Sequence, residues 1–365
     1  MKNTALQRPQ PVRWDHGTLY LLDQTRLPLE TVIDPYTTVE QVWDAIRRLK
    51  VRGAPAIGIA GAYGLVLAMR SQQHLTHEDF LAQLDTQAAY LDSARPTAVN
   101  LHWALQRLLR QARQLHQQPV PEIYQALEQT AIQIHAEDRQ LCRRIGDHGR
   151  PLIKTGMGIL THCNAGALAT AELGTALAPL YLAHEAGVSF RVYADETRPL
   201  LQGARLTTWE LQQAGIDVTL ICDNMAATLM AQDCIDMVIV GTDRVAANGD
   251  VANKIGTLGV AILAQYFQIP FYVACPLLHH RLRHPSGEAI VIEERAQDEV
   301  THLGQRRTAP VGMAVRNPAF DVTPHTLVGA DHRARNLAAS YGETLRAGLW
   351  PRSSRRLNQR FDASY

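Results

Sequence analysis

The sequence lacks the cysteine pattern of a disulfide-bonded or zinc-binding protein. Its five cysteines are odd in number, dispersed over 365 residues, and without a CxxC pair. A disulfide framework or a zinc ribbon needs paired cysteines at short, regular spacings. We therefore expect a reducing, cytoplasmic environment.

An excess of charge of one sign is also absent. The chain has 36 basic and 35 acidic residues and a formal net charge of +1, so no overall field favours nucleic acid or an anionic membrane surface. The first residues, MKNTALQRPQ, have no apolar core, and the most apolar long stretch, residues 165–183, is interrupted by glutamate, glycine and proline. We predict that stretch to be a buried helix. A small molecule is the expected partner, with no nucleic acid and no membrane.

The GxGxxG turn of a dinucleotide-binding domain is missing as well. Gly58, Gly61 and Gly64 are spaced three apart within an apolar segment, which favours close helix packing through small residues. This absence counts against a nucleotide-dependent dehydrogenase.

The pattern along the chain predicts an α/β protein of two domains, since single cores rarely grow beyond roughly 250 to 300 residues. Residues 1–145 are predicted to form a mostly helical N-terminal domain with a short antiparallel β element at residues 17–22 and 28–33. Residues 146–335 alternate strands with helices and predict a doubly wound, Rossmann-like parallel sheet. Residues 336–365, rich in arginine at their end, are predicted to be an irregular or disordered extension. The predicted sheet strands are residues 158–162, 190–194, 218–222, 237–240 and 271–274.

Polar residues follow several of these strands, at the sheet edge where open parallel sheets bind ligands. Asp243 comes directly after the fourth strand, and Cys163 closes the first strand before Asn164-Ala165-Gly166, which we expect to open a helix. The other four cysteines are typical of small buried side chains. Asp195 and Asp223, taken singly, favour helix capping. Gln202 is an uncharged donor and acceptor suited to a hydroxyl group.

Three basic segments stand where helices are predicted to begin. Arg52-Gly53-Ala54 precedes Pro55, Arg95 precedes Pro96, and Asn253 with Lys254 follows the turn Asn248-Gly249-Asp250. Free N–H groups in a first helical turn attract anions, and a nearby cation strengthens the effect. The alternative is that these cations are solvated surface residues, although a cation at a helix start is unfavourable unless an anion is nearby.

Taken together, these segments resemble the methylthioribose-1-phosphate isomerases of methionine salvage, which share a fold with the regulatory subunits of translation initiation factor 2B. The resemblance runs from VRWDHGTLYLLDQTRLP through RGAPAIGIAGAYG, SARPTAVNL, ILTHCNAGALAT, YADETRPLLQGARLTTWEL and ICDNMAA to VGTDRVAANGDVANKIGT. It implies an aldose-ketose isomerase of a small phosphorylated sugar, a homodimer, with no metal or other cofactor. It also implies substrate binding by Arg52, Gly53, Ala54, Arg95, Gln202, Asn253 and Lys254, with Asp243 as proton donor and Cys163 as stabiliser of the transition state.

Two alternatives to this substrate and activity stay open at this point, and so does the route of hydrogen transfer. The substrate is 5-deoxyribose 1-phosphate or ribose 1,5-bisphosphate in one alternative, because the sequence does not fix the pocket for the C5 substituent. In another, the chain is a non-catalytic regulatory subunit like those of initiation factor 2B, which would not need Cys163 and Asp243 together. The route of the transferred hydrogen is also open, and a shortage of bases among the motif residues favours a direct hydride shift from C2 to C1 over a proton route.

Overall fold

The N-terminal part is a small antiparallel sheet packed with helices. The computed structural model describes residues 8–96, 98–276, 284–328 and 337–339. The elements here are β1 (Val12–Asp15), β2 (Thr18–Leu22), β3 (Ile33–Tyr36), α1 (Val39–Arg47), α2 (Ala54–Met69), α3 (His77–Asp92), α4 (Val99–Gln114) and α5 (Val120–Gly149). The predicted helical region with a short antiparallel β element is confirmed.

The strand predicted over residues 28–33 is wrong, and β1 was not predicted. Residues 24–29 form turns instead, because the Asp23 carboxylate accepts hydrogen bonds from the backbone N–H and the hydroxyl of Thr25, at 2.9 and 2.6 Å. Such a local side-chain bond competes with strand pairing. The strand begins later, at Ile33, and pairs with β2.

Helix α2 is the centre of the N-terminal core. The stretch Ala54–Gln72 is long and apolar enough to cross a membrane, but 72% of its most apolar window is buried inside the protein. A Cβ at Gly61 would lie 2.2 Å from Cδ1 of Leu101, and one at Gly58 would lie 2.9 Å from the carbonyl oxygen of Asn100. The glycines therefore allow α4 to pack closely on α2, as the sequence pattern predicted, and α2 is a core helix.

The rest of the chain builds a parallel sheet and a smaller antiparallel one. The elements in order are β4 (Gly158–Thr161), α6 (Ala178–Glu185), β5 (Arg191–Asp195), α7 (Thr208–Gln213), β6 (Asp217–Ile221), α8 (Ala226–Ala231), β7 (Met237–Val240), β8 (Arg244–Val245), β9 (Val251–Lys254), α9 (Thr257–Tyr266), β10 (Phe271–Pro276), α10 (Asp298–Thr301), β11 (His302–Leu303), β12 (Arg306–Arg307), β13 (Phe320–Thr323) and β14 (Leu337–Ala339). All five predicted sheet strands are confirmed to within one or two residues at their ends.

The parallel sheet has the strand order β14-β10-β7-β4-β5-β6. The chain starts in the middle at β4, runs outward through β5 and β6, and returns to β7 on the other side of β4. Loops after β4 and β7 therefore lead to opposite sides, and this switch point is where open α/β sheets form their ligand crevice. The doubly wound, Rossmann-like fold is confirmed.

Two details of this region differ from the prediction. Residues 165–183 are not one helix, because a short 3-10 turn at Ala167–Ala169 and a loop precede α6. The antiparallel sheet β13-β9-β8 was not predicted, since its strands are two to four residues long. Within the predicted irregular extension, residues 337–339 form β14 parallel to β10, and the rest lies outside the described residues.

Helix α5 belongs to both halves of the molecule. Val120, Ile123 and Leu127 are buried in the N-terminal core, whereas Cys142 and Ile145 near its other end are buried with strands of the parallel sheet. The predicted boundary between residues 145 and 146 therefore falls inside one continuous helix.

Candidate active site

A cavity of about 1030 Å³ lies between the N-terminal part and the carboxyl edge of the parallel sheet. The residues after β4 and β7, the two strands at the switch point, line it from the sheet side. All nine predicted site residues line this cavity: Arg52, Gly53, Ala54, Arg95, Cys163, Gln202, Asp243, Asn253 and Lys254.

Arg52, Gly53 and Ala54 form the N-terminal wall at the beginning of α2. Gly53 is the N-cap with φ +87°, and a Cβ there would lie 2.5 Å from Cα of Ala169. Only glycine combines this backbone angle with so close an approach. Pro55 is the second helical residue and has no N–H. The other N–H groups of this first turn have no partner inside the helix, and the start of α2 lines the cavity.

Arg52 crosses from this wall to the loop after β4. Its guanidinium donates to Oδ1 of Asn164 at 2.6 Å and to the Asn164 carbonyl oxygen at 2.9 Å. These bonds hold the arginine in the cavity lining.

Arg95 lines the cavity, but the expectation that it stands at a helix start is wrong. Helix α4 begins at Val99, with Ala98 as its N-cap, so three residues separate the arginine from the helix. The Arg95 side chain is mostly buried and lies 3.7 Å from a carboxylate oxygen of Glu293. Burial lowers the pKa of Arg95, and the charge of Glu293 raises it in part.

Cys163 lies two residues after the end of β4 in a left-handed conformation, with φ +64°. Its N–H donates to Oγ1 of Thr197 at 2.8 Å, and its carbonyl oxygen accepts from Oγ1 of Thr207 at 2.6 Å. The expected helix after Asn164 is absent, so a helix N-terminus does not account for any activation of the thiol. Cys163 is thus placed by side-chain bonds to its backbone from two neighbouring segments.

Asp243 is at the other side of the switch point, three residues after β7. Its N–H donates to the Ala252 carbonyl oxygen at 3.1 Å, which begins the hairpin of β8 and β9. A Cβ at Gly241 would lie 2.5 Å from Cβ of Ala165. The loops that carry Asp243 and Cys163 are therefore in direct contact.

Asn253 and Lys254 lie at the end of strand β9, so their predicted position inside a helix start is wrong. Helix α9 begins at Thr257, after Gly256 in the left-handed region. Asn253 is buried and donates to Oγ1 of Thr257 at 3.1 Å, and the Lys254 ammonium lies 4.7 Å from the centre of the Phe320 ring. The antiparallel pairing of β9 with β13, which sequence periodicity did not reveal, produces this arrangement.

Gln202 reaches the cavity from the segment after β5, just before a π-helical turn at Gly203–Thr207. The side chain is buried, and its Oε1 has no hydrogen-bond partner among the described residues. A buried acceptor without a partner is costly. This oxygen is therefore ready to accept a bond from a ligand hydroxyl.

The sequence analysis missed one side of the cavity, the rim segment, defined as residues 290–304. Glu293, Asp298, Glu299 and His302 of this segment line the cavity, so acidic groups are not confined to the motif residues. Arg295 engages two of them, Glu299 at 2.5 Å and Glu293 at 3.4 Å. The run EERAQDE was visible in the sequence, but nothing local indicates that it folds back over the sheet edge.

His162, Asp195 and Asp223 place three possible metal-binding groups within 4.8 Å of one another. Both ring nitrogens of His162 are already bonded, Nδ1 to Asp195 at 2.9 Å and Nε2 to the Ile255 carbonyl oxygen at 2.8 Å. A carbonyl oxygen only accepts, so Nε2 carries a proton and offers no lone pair to a metal.

The sequence predicted that the two carboxylates of this group cap the following helices. In the structure they bind neighbouring segments instead. The oxygens of Asp223 accept from the N–H groups of Thr197 and Arg198, both at 2.7 Å. Burial raises the pKa of Asp195. Burial lowers the pKa of His162, but its bond with Asp195 raises it, and the net direction is upward. The pair shares a proton that orients the histidine.

Comparison with known proteins adds the family context of this site. The sequence model of the initiation factor 2 subunit family matches residues 50–330. The 5-deoxyribose 1-phosphate isomerase of Moorella thermoacetica is 55% identical over 320 residues, which cover 88% of this chain and 91% of the relative. The methylthioribose-1-phosphate isomerase of Symbiobacterium thermophilum is 56% identical over 324 residues, with 88% and 90% covered. The crystal structure of 5-methylthioribose 1-phosphate isomerase from Pyrococcus horikoshii OT3 superposes with a TM-score of 0.84 at 42% identity, covering 90% of this chain and 92% of that one.

Proposed function

We propose that this chain, which belongs to the initiation factor 2 subunit family, converts 5-methylthioribose 1-phosphate to 5-methylthioribulose 1-phosphate in methionine salvage. The chain is a sugar-phosphate isomerase. The observation that carries the specific proposal is the convergence of Cys163, Asp243 and seven binding residues on one cavity at the switch point of the sheet.

The phosphate is bound by the cations of the cavity wall. Arg52, Arg95 and Lys254 come from three separate parts of the chain and line the same space. Charge-assisted hydrogen bonds to a phosphate are roughly twice as strong as neutral ones, and the first N–H groups of α2 add further donors. Gln202 Oε1 accepts a bond from a hydroxyl of the sugar ring.

The chemistry begins with opening of the ring. The C1 phosphate prevents the simple opening that gives other aldoses a free aldehyde, so the bond between C1 and the ring oxygen has to break directly. A protonated Asp243 donates its proton to the ring oxygen as this bond breaks, and positive charge develops at C1. Cys163, on the neighbouring loop, stabilises this charge.

The hydrogen then moves from C2 to C1 with its electron pair. The C2 hydroxyl loses its proton to the Asp243 carboxylate and becomes the ketone, so Asp243 ends the cycle protonated. Carbon, hydrogen and charge balance without an external oxidant or reductant. Glu293 and Glu299 line the cavity. Burial raises the pKa of Glu299, but its bond with Arg295 lowers it and the net direction is downward, which makes Glu299 a weaker base for C2.

Turnover of a panel of 1-phosphorylated pentoses tests the proposal. The highest kcat/KM is expected for 5-methylthioribose 1-phosphate. A clear preference for 5-deoxyribose 1-phosphate, the substrate in the name of one relative, would replace the proposed substrate, and preference for ribose 1,5-bisphosphate would do the same. Failure to turn over any member would favour a regulatory subunit. The proposal includes a cytoplasmic location and a homodimer. Light scattering of the purified chain tests the homodimer.

A further inference from the structure

Glu210 is a buried carboxylate that the proposed chemistry does not use. It lies on α7 beneath the loop after β4, fully buried, and it is not part of the cavity lining. Its oxygens accept hydrogen bonds from Nδ2 of Asn164 at 2.5 Å, from the Leu168 N–H at 3.3 Å, and from the Tyr181 hydroxyl at 3.1 Å. The loop from Cys163 to Ala169 is thus folded around this carboxylate.

Gly166 shows how closely the loop fits. A Cβ at this position would lie 1.7 Å from Oε1 of Glu210, so the loop passes the carboxylate at a distance that admits only glycine. A buried carboxylate is also an expensive choice for packing alone. Burial raises the pKa of Glu210 to about 7, against the hydrogen bonds that lower it. Apolar packing alone therefore does not explain why an acid occupies this position.

Asn164 connects Glu210 to the cavity. An amide group presents an acceptor on one side and two donors on the other, and a flip about its last bond exchanges them. Here Nδ2 donates to Glu210 and to Oγ1 of Thr207, so Oδ1 faces the opposite way and accepts from Arg52 at 2.6 Å. A flipped amide would put its donors against the guanidinium, which has no acceptor.

We propose that Glu210 is a positioning residue that fixes the Asn164 amide and, through it, aims the Arg52 guanidinium at the phosphate in the cavity. This inference rests on the proposed role of Arg52 as a phosphate ligand. Glu210 itself touches neither substrate nor reacting atoms.

The substitution Glu210→Gln tests the proposal, since it replaces a carboxylate, which only accepts when ionised, by an amide that also donates. In this variant Asn164 gains by turning its oxygen toward the new amide nitrogen. Arg52 then loses its side-chain acceptor and keeps only the Asn164 carbonyl oxygen. We expect affinity for 5-methylthioribose 1-phosphate, measured by calorimetry, to fall about tenfold, the loss of one charge-assisted contact. Unchanged affinity would overturn the proposal.

An exchanged pair provides the decisive control. When Asn164→Asp is combined with Glu210→Gln, the new amide at position 210 donates to the new carboxylate at position 164, which in turn accepts from Arg52. The amide oxygen at position 210 still accepts from Leu168 and Tyr181, and the total charge is unchanged. Recovery to within about threefold of wild-type affinity is expected, and a folded double variant as weak as the single one would contradict the proposal. This variant also remains informative if Glu210→Gln alone does not fold.

Tyr181→Phe is the matched structural control, because it removes a bond to the other oxygen of Glu210 and leaves Asn164 alone. It should lower thermal stability without changing affinity for 5-methylthioribose 1-phosphate. A loss of affinity equal to that of Glu210→Gln would assign Glu210 a structural role only.

Binding of inorganic phosphate separates this inference from the proposed function. In the wild-type background, Glu210→Gln should weaken phosphate binding, but in an Arg52→Ala background it should add nothing further. If it weakens both equally, Glu210 does not act through Arg52. A wild-type protein that binds phosphate in this way but not the methylthio sugar would refute the substrate and keep the positioning role.

Discussion

Cys163 and Asp243 differ from other cysteines and aspartates of the chain in their position relative to the parallel sheet. Cys163 and Asp243 follow adjacent strands β4 and β7, and their loops touch through Ala165 and Gly241. Cys142 and Cys275 are buried in the cores. Position after the two adjacent strands at the switch point, and not residue type alone, therefore distinguishes the two residues that we propose for the chemistry.

Asp243→Asn is expected to keep the fold and substrate binding and to lose most turnover, about 10² to 10⁴-fold. The amide has the same shape, and the backbone bond from residue 243 to Ala252 is unaffected, but an amide is a poor proton donor. Calorimetric affinity and kcat measured on the same preparation check this. Turnover close to wild type would remove Asp243 from the acid role.

Cys163→Ser should lower turnover more than binding, because we propose that the thiol acts on charge that develops only in the transition state. Cys142→Ser is the matched control. Burial raises the pKa of the Cys142 thiol, which is not itself part of the cavity lining, so only a packing cost is expected there. Alkylation of Cys163 should slow in saturating substrate, and an equal rate with and without substrate would place this thiol outside the site.

Glu210 should make the stability of the protein depend on pH near neutrality. Its pKa is about 7 in the folded protein, above the value of about 4.3 for an unfolded chain. Its contribution to stability is present in full below that lower value and is lost as pH rises through about 7. In urea unfolding between pH 5 and 8, Glu210→Gln should flatten this decline by an amount on the order of 3 kcal/mol. Parallel profiles for the two proteins would contradict the prediction.

Whole elements were predictable where periodicity is strong and unpredictable where long-range pairing decides. The five parallel strands were found because each is a short apolar run bounded by turns. The predicted helix starts for Arg95 and Lys254 were wrong, because helix α4 begins only at Val99 and β9 pairs with β13, some 70 residues away in sequence. The rim segment escaped notice for the same reason, since it reaches the cavity through tertiary contacts alone.

The start of helix α9 shows such a long-range determinant. Asp321 on β13 accepts from the N–H groups of Gly256 at 2.8 Å and Leu258 at 3.1 Å, so it caps a helix that has no side-chain cap of its own. Asp321→Ala should lower the free energy of unfolding by about 1 to 2 kcal/mol. Urea unfolding measures the loss.

Asp217→Ala is the control for this capping experiment. Asp217 pairs with Arg191 in an exposed contact at 2.8 Å, and exposed ion pairs contribute roughly 0 to 1 kcal/mol. A larger loss for Asp217→Ala than for Asp321→Ala would rule out the capping role.

At the scale of the whole molecule, the cavity lies between the two hydrophobic cores. The side chains around it bear on whether hydrogen is transferred as a hydride or as a proton. Two carboxylates of the rim segment, Glu293 and Glu299, are engaged by Arg95 and Arg295, and we propose that Asp243 acts at the ring oxygen. Substrate deuterated at C2 and turned over in ordinary water should therefore retain its deuterium at C1 of the product, as a hydride shift requires. Extensive washout to solvent, measured by mass spectrometry, would establish a proton route through a side-chain base.

Helix α5, which is buried in both cores, also restricts how the molecule moves. Many two-part enzymes close on their substrates by rotating one lobe about a flexible linker. Here such a rotation would have to bend a helix of 30 residues whose two ends are anchored in different cores. A single continuous helix therefore holds the two cores at a fixed separation across the cavity, which argues against opening of the cavity by a hinge between lobes.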